Sequence, residues 1–170
     1  MAVEDHKKHA PARVRCMVVT ISDTRTEETD KSGKLMMDLA EAQGHQIVDY
    51  RIVKDEFSAI TEAVQSGVQS QDVDVILTNG GTGIAKRDVT IEAVQSLIDK
   101  EIPGFGELFR MLSYTEDIGS TALLSRAVAG AKGNKAVFST PGSSGAVRLA
   151  MGKLIVPELA HVVRELNKDS

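Results

Sequence analysis

Three apolar runs, each followed by a stretch of helical period, constrain the fold of this chain more than anything else in it. Val14–Ser22 is apolar at nearly consecutive positions, the pattern of a strand covered on both faces. Gly33–Gln43 then sets Leu35, Met36, Leu39 and Ala40 on one helical face, with Gly44 as a stop signal. Gln46–Val53 reads as a second strand, and Ser58–Ser70 as a helix with Ile60, Val64 and Val68 four apart. Val73–Leu77 is a third strand, and Thr90 is the expected N-cap of a helix over 91–98. The order β-α-β-α-β-α predicts an α/β fold, a mostly parallel sheet in a three-layer α/β/α sandwich.

The second half is less regular. Pro103-Gly104-Phe105-Gly106 breaks the pattern, and Glu107–Ser113 reads as helical. Leu123–Ala131 is rich in small residues and has no clear type, and Lys135–Ser139 is a short strand. At the C-terminal end Leu159, Val162, Val163 and Leu166 share a helical face, which Pro157 starts or kinks.

A chain of 170 residues suits one domain, placed at 14–170 behind a polar, flexible arm at 1–13. Aromatics are only 4% and Trp is absent, so Val, Ile, Leu, Ala and Met must build the core. The net charge of −4 argues against nucleic acid as the partner. No stretch is long enough to span a membrane, and the expected location is the cytoplasm. Cys16 lies in an apolar run and reads as a buried, inert thiol. His6 and His9 read as part of the solvated arm, and no histidine spacing suggests zinc.

In a parallel sheet the carboxyl ends of the strands share one edge, where ligands bind. Ser22-Asp23-Thr24, Gly80–Gly83 and Thr140–Gly145 should therefore meet, with Asp55 joining from the end of the second strand. Backbone donors, hydroxyls and carboxylates together suit a nucleotide phosphate with magnesium. Gly80-Gly81-Thr82-Gly83 is not a P-loop, because no Gly-Lys-Ser/Thr follows, and its spacing is not the dinucleotide fingerprint. Ser143 and Ser144 have no histidine partner in the right context, which argues against a hydrolase triad.

Several motifs in order carry a resemblance. They are Ile21-Ser22-Asp23-Thr24, Val53-Lys54-Asp55-Glu56, Thr78–Thr90, Ile102–Glu107, Leu124-Ser125-Arg126-Ala127 and Thr140-Pro141-Gly142. From Val14 to Leu166 the sequence resembles the MoaB/Mog family of molybdenum cofactor biosynthesis, and its MoaB branch in particular. The resemblance implies a trimer or hexamer and adenylyl transfer from Mg-ATP to molybdopterin, which gives adenylylated molybdopterin and pyrophosphate. It implies Asp55, Asp88 and Ser125 as catalytic residues, with Asp55 and Asp88 organising Mg2+. Ser22, Asp23, Gly80, Gly81, Thr82, Gly83, Arg87, Ser139, Pro141, Gly142 and Ser143 would bind the substrates. Other enzymes of the same pathway are possible partners. Two positions depart from active relatives: Lys54 stands where proline is common, and Ser139 where asparagine is. Some members of the MoaB branch lack the acidic pair, which this chain keeps. The rival readings are a non-catalytic pterin-binding protein and an assembly protein of the same fold.

Overall fold

The computed structural model describes residues 3–4 and 13–170. Most of the 1–13 arm, with His6 and His9 in it, lies outside the described residues. In chain order the elements are β1 (Arg15–Ile21), α1 (Lys31–Glu41), β2 (Gln46–Val53), α2 (Phe57–Gln69), β3 (Val75–Asn79) and α3 (Thr90–Leu97). There follow β4 (Lys100–Glu101), α4 (Pro103–Glu116), a 3-10 turn (Gly119–Leu124), β5 (Val128–Lys132), β6 (Lys135–Thr140) and α5 (Ser144–Ala150). A π-helical turn (Met151–Ile155) then leads into α6 (Val156–Asn167). No helix among the described residues is long and apolar enough to cross a membrane.

The sheet order is β2-β1-β3-β6-β5-β4. β2, β1, β3 and β6 run parallel, while β5 and β4 add an antiparallel edge. Side chains alternate across a strand, so each central strand feeds two cores. Val14, Cys16 and Val18 point to one face, where Met36, Phe109, Val147, Met151 and Leu159 come from α1, α4, α5, the π turn and α6. Met17, Val19 and Ile21 point to the other, against Ile60 and Val64 of α2 and Ile91 and Val94 of α3. The continuous apolar runs in the sequence follow from this double covering. The Cys16 thiol is buried, and burial pushes its pKa up to about 12, so it stays protonated and unreactive.

Three local expectations change. The helix expected over Glu107–Ser113 starts earlier, with Pro103 opening α4, because a first-turn position has no N–H bond to lose. Thr90 begins α3 instead of capping it: the cap position is Val89, and the Thr90 N–H donates to Gly81 O at 3.0 Å. The unassigned small-residue segment resolves into the 3-10 turn and β5, which pairs with β6 across Gly133-Asn134. Pro157 falls in the first turn of α6, as its position in the sequence suggests; just before it the helix widens, with Val156 N–H reaching back five residues to Met151 O.

The three aromatic rings of the first core form one cluster. Phe105 meets Phe138 edge-on at 5.3 Å and lies 6.3 Å from Phe109, which is 1% exposed. Phe109→Ala should destabilise the chain by about 3–5 kcal/mol in urea unfolding, the range for an aromatic removed from a packed core.

Candidate active site

One rung of the sheet sets the site. Thr20 of β1 pairs with Asn79 of β3, which pairs with Thr140 of β6. The loops after these strands therefore leave from the same level and stay in contact. Gly80 N–H donates to Thr140 O at 3.1 Å, and Arg25 Nη2 donates to Gly142 O at 2.8 Å. Arg25 Nη1 also lies 3.6 Å from Asp30 Oδ1. Asp30 is fully buried, caps α1 through Gly33 N–H, and accepts from the Tyr50 hydroxyl at 2.5 Å.

Gly80 and Gly81 have φ of +99° and +67°, which L side chains rarely adopt. A Cβ on Gly80 would overlap the Ile21 carbonyl oxygen. One on Gly81 would overlap Thr90 Oγ1 and lie 3.0 Å from Asp55 Oδ1. The N–H groups of Gly81, Thr82 and Gly83 have no acceptor among the described residues. They border a cleft of about 460 Å³.

Acidic groups lie beside these donors. Asp23 Oδ1 accepts the Asp55 N–H at 2.9 Å, and its other oxygen pairs with Arg87. These bonds, first the Asp55 N–H and then the guanidinium, hold the Asp23 carboxyl below its usual range. Asp88 Oδ2 accepts from Ala85 N–H at 3.0 Å. Asp55 Oδ1 and Thr90 Oγ1 are buried without a hydrogen-bond partner among the described residues. Burial raises the Asp55 pKa, and the charges of Asp88 and Asp23 add to it.

Of the residues expected from sequence, Ser22, Gly80, Gly81, Thr82, Gly83, Asp88, Ser125, Pro141 and Gly142 line the cleft. Asp23, Asp55 and Arg87 stand next to its wall, linked to one another as described. Two others do different work. Ser139 is fully buried within the sheet and accepts from the Thr78 hydroxyl at 2.8 Å. Ser143 caps α5, its hydroxyl accepting from Ala146 N–H at 3.1 Å. Arg25, Ile118, Thr121, Leu124 and Arg126 line the cleft although the sequence reading gave them no site role. Arg25 sits two residues past Asp23 and Arg126 directly follows Ser125, so both were next to residues already under suspicion.

Residues 17–161 match the model of a family described as "Probable molybdopterin binding domain". The chain belongs to the MoaB/Mog family of molybdenum cofactor biosynthesis proteins. It is 66% identical over 168 residues to "Molybdenum cofactor biosynthesis protein B" of Bacillus cereus, covering 99% of each chain. The protein of that name in Bacillus subtilis is 64% identical over 169 residues, again with 99% of each chain covered. A crystal structure of a molybdenum cofactor biosynthesis protein B superposes with a TM-score of 0.92 at 66% identity, covering 94% of this chain and 99% of that one. The tungsten cofactor synthesizing protein MoaB from Pyrococcus furiosus gives 0.77 at 38% identity, covering 92% and 99%.

Magnesium, implied by the MoaB/Mog resemblance, fits the residues present. No group of three or more His, Cys, Asp or Glu among the described residues could hold a metal unaided. Magnesium does not need one, since it takes one or two carboxylates and completes its shell with water and substrate phosphates. Asp55, with its unpartnered oxygen, and Asp88 supply such a pair.

The coupling between the two acids can be measured. Because the folded state raises the Asp55 pKa, it holds that proton more tightly than the unfolded chain does. The resulting stability is present at low pH and is lost as pH rises through the folded value. Asp88→Asn removes one cause of the shift and leaves burial in place. In a carbon-13 NMR titration, Asp55 should titrate lower than in the parent chain. An unchanged midpoint would show that Asp88 does not act on it.

Proposed function

We propose that this chain transfers the adenylyl group of Mg-ATP to molybdopterin, giving adenylylated molybdopterin and pyrophosphate. One juxtaposition carries the reading: unpartnered N–H groups of the glycine turn lie beside the buried, unpartnered Asp55 oxygen. The first suit phosphate oxygens, and the second suits the cation that accompanies them.

A terminal phosphate oxygen of molybdopterin attacks the α-phosphorus of ATP. A new O–P bond forms, the α–β bridging P–O bond breaks, and pyrophosphate leaves with its electron pair. The nucleophile is already ionised at neutral pH, so the protein needs no strong base, and alignment with charge neutralisation dominates. Gly81, Thr82 and Gly83 present N–H groups to phosphate. Ser22 and Ser125 supply hydroxyls, with Ser125 on the pterin phosphate side. Arg87, released from Asp23, neutralises charge on the phosphates. Asp55 and Asp88 would hold magnesium, which would screen the phosphate charges. Pro141 and Gly142 shape the rim. The reaction belongs in the cytoplasm, where Mg-ATP is at hand.

The working unit is a homo-oligomer, a trimer or a hexamer. In support, Leu108, Met111 and Tyr114 are exposed along one face of α4, and Ile118, Leu123 and Leu124 extend that apolar surface.

Pyrophosphate release from molybdopterin and Mg-ATP tests the activity. Asp88→Asn should lower turnover by on the order of a hundredfold while the assembly stays intact. Absence of turnover from intact parent protein that still binds the pterin would overturn the enzyme and leave a binding protein. Light scattering should give a mass that is a multiple of three chains of 18.3 kDa. Met111→Glu should lower that mass.

A further inference from the structure

Arg126 sits in the link between the 3-10 turn and β5, with its guanidinium over the glycine-rich loop. Its Nε donates to Thr82 O and Gly83 O, both at 3.1 Å. Its Nη2 donates to Gly83 O at 2.6 Å and to Asp88 O at 3.3 Å. Its Nη1 donates to Glu92 Oε1 of α3 at 2.5 Å. One planar cation thus gathers carbonyls from both ends of the 82–88 loop and anchors them to a helix. With every guanidinium nitrogen engaged, Arg126 is poorly placed to bind a substrate directly.

The direction of these bonds matters. In a planar trans peptide the C=O and the following N–H point opposite ways. Holding the Thr82 and Gly83 carbonyls against the guanidinium turns the N–H groups of Gly83 and Ile84 away from it. Neither N–H has an acceptor among the described residues. We propose that Arg126 is a positioning residue: it sets the peptide planes of the glycine-rich loop so that Gly83 and Ile84 present their N–H groups to a phosphate of the substrate, with Glu92 fixing the guanidinium in turn. The inference rests on the phosphate-transfer reading above and adds a mechanism for building its anion site. It also predicts that shape matters more than charge at position 126. Lysine keeps the positive charge but lacks the rigid fork that reaches three carbonyls at once.

Inorganic pyrophosphate is the probe, titrated into the full-length protein at fixed ionic strength by calorimetry and by nitrogen-15 NMR. In the parent chain the Gly83 and Ile84 amide resonances should move as pyrophosphate binds. Arg126→Lys and Arg126→Gln should each weaken binding about tenfold or more and abolish those two shifts, with circular dichroism unchanged. Glu92→Gln should weaken binding less. If Arg126→Gln fails to fold, Arg126→Lys and Glu92→Gln carry the test. Parent-like affinity and amide shifts in Arg126→Lys would overturn the positioning role and leave the proposed reaction standing. If the parent chain binds neither pyrophosphate nor Mg-ATP, the phosphate-transfer reading falls, and this inference with it.

Discussion

The parallel register of β1, β3 and β6 is the constraint on which the rest of the molecule depends. It puts Thr20, Asn79 and Thr140 on one rung, so three loops start at the same height. Asn79 ties the rung together sideways, donating to Thr20 Oγ1 at 3.0 Å and accepting from Ser32 Oγ at 2.8 Å. All three of these partners are buried, where a lost hydrogen bond is costly. A slip of one residue in any of these strands would move apolar side chains to the wrong core and separate the loops. Packing and site geometry are therefore specified by the same pairing.

Around that edge the chain uses arginines as struts. Arg25 reaches from the loop after β1 to the Gly142 carbonyl, and Arg126 reaches from the β5 side to the glycine-rich loop. Both hold main-chain carbonyls, a task suited to a planar fork of donors. Arg87 differs: it is well exposed and paired only with Asp23. A protein of net charge −4 thus fixes two cations, Arg25 and Arg126, in the wall of the cleft and holds a third, Arg87, at its exposed edge.

Much of this was legible in the sequence, for physical reasons. Double-sided burial of the central strands leaves unbroken apolar runs, and the helices between them keep a 3.6-residue period. Together these give the parallel sheet and the common edge. The glycine turn was visible because positive φ at Gly80 and Gly81 restricts the residue type. Less was legible where a residue's role depends on a distant partner. Ser139, at the end of its strand, reads as a substrate-binding hydroxyl but pairs across the sheet with Thr78. Thr90 reads like a cap, yet its backbone N–H already serves Gly81. Arg126 makes its bonds to residues some forty positions earlier, a relation that no local pattern encodes. The β5–β6 hairpin was a different case: Gly133-Asn134 is a recognisable two-residue turn, masked by the small residues before it.

The unpartnered oxygens of Asp55 and Thr90 bear on more than chemistry. Among the described residues the first is a buried acceptor without a donor and the second a buried hydroxyl without a partner, and both crowd the same glycine. Local frustration of this kind lowers the stability of this edge of the sheet. A ligand that engages these atoms completes the fold there, and by mass action it raises the stability of the whole chain. Occupancy would then slow amide exchange first in the loops after β2 and β3, and the bound molecule would act as a structural part of that edge.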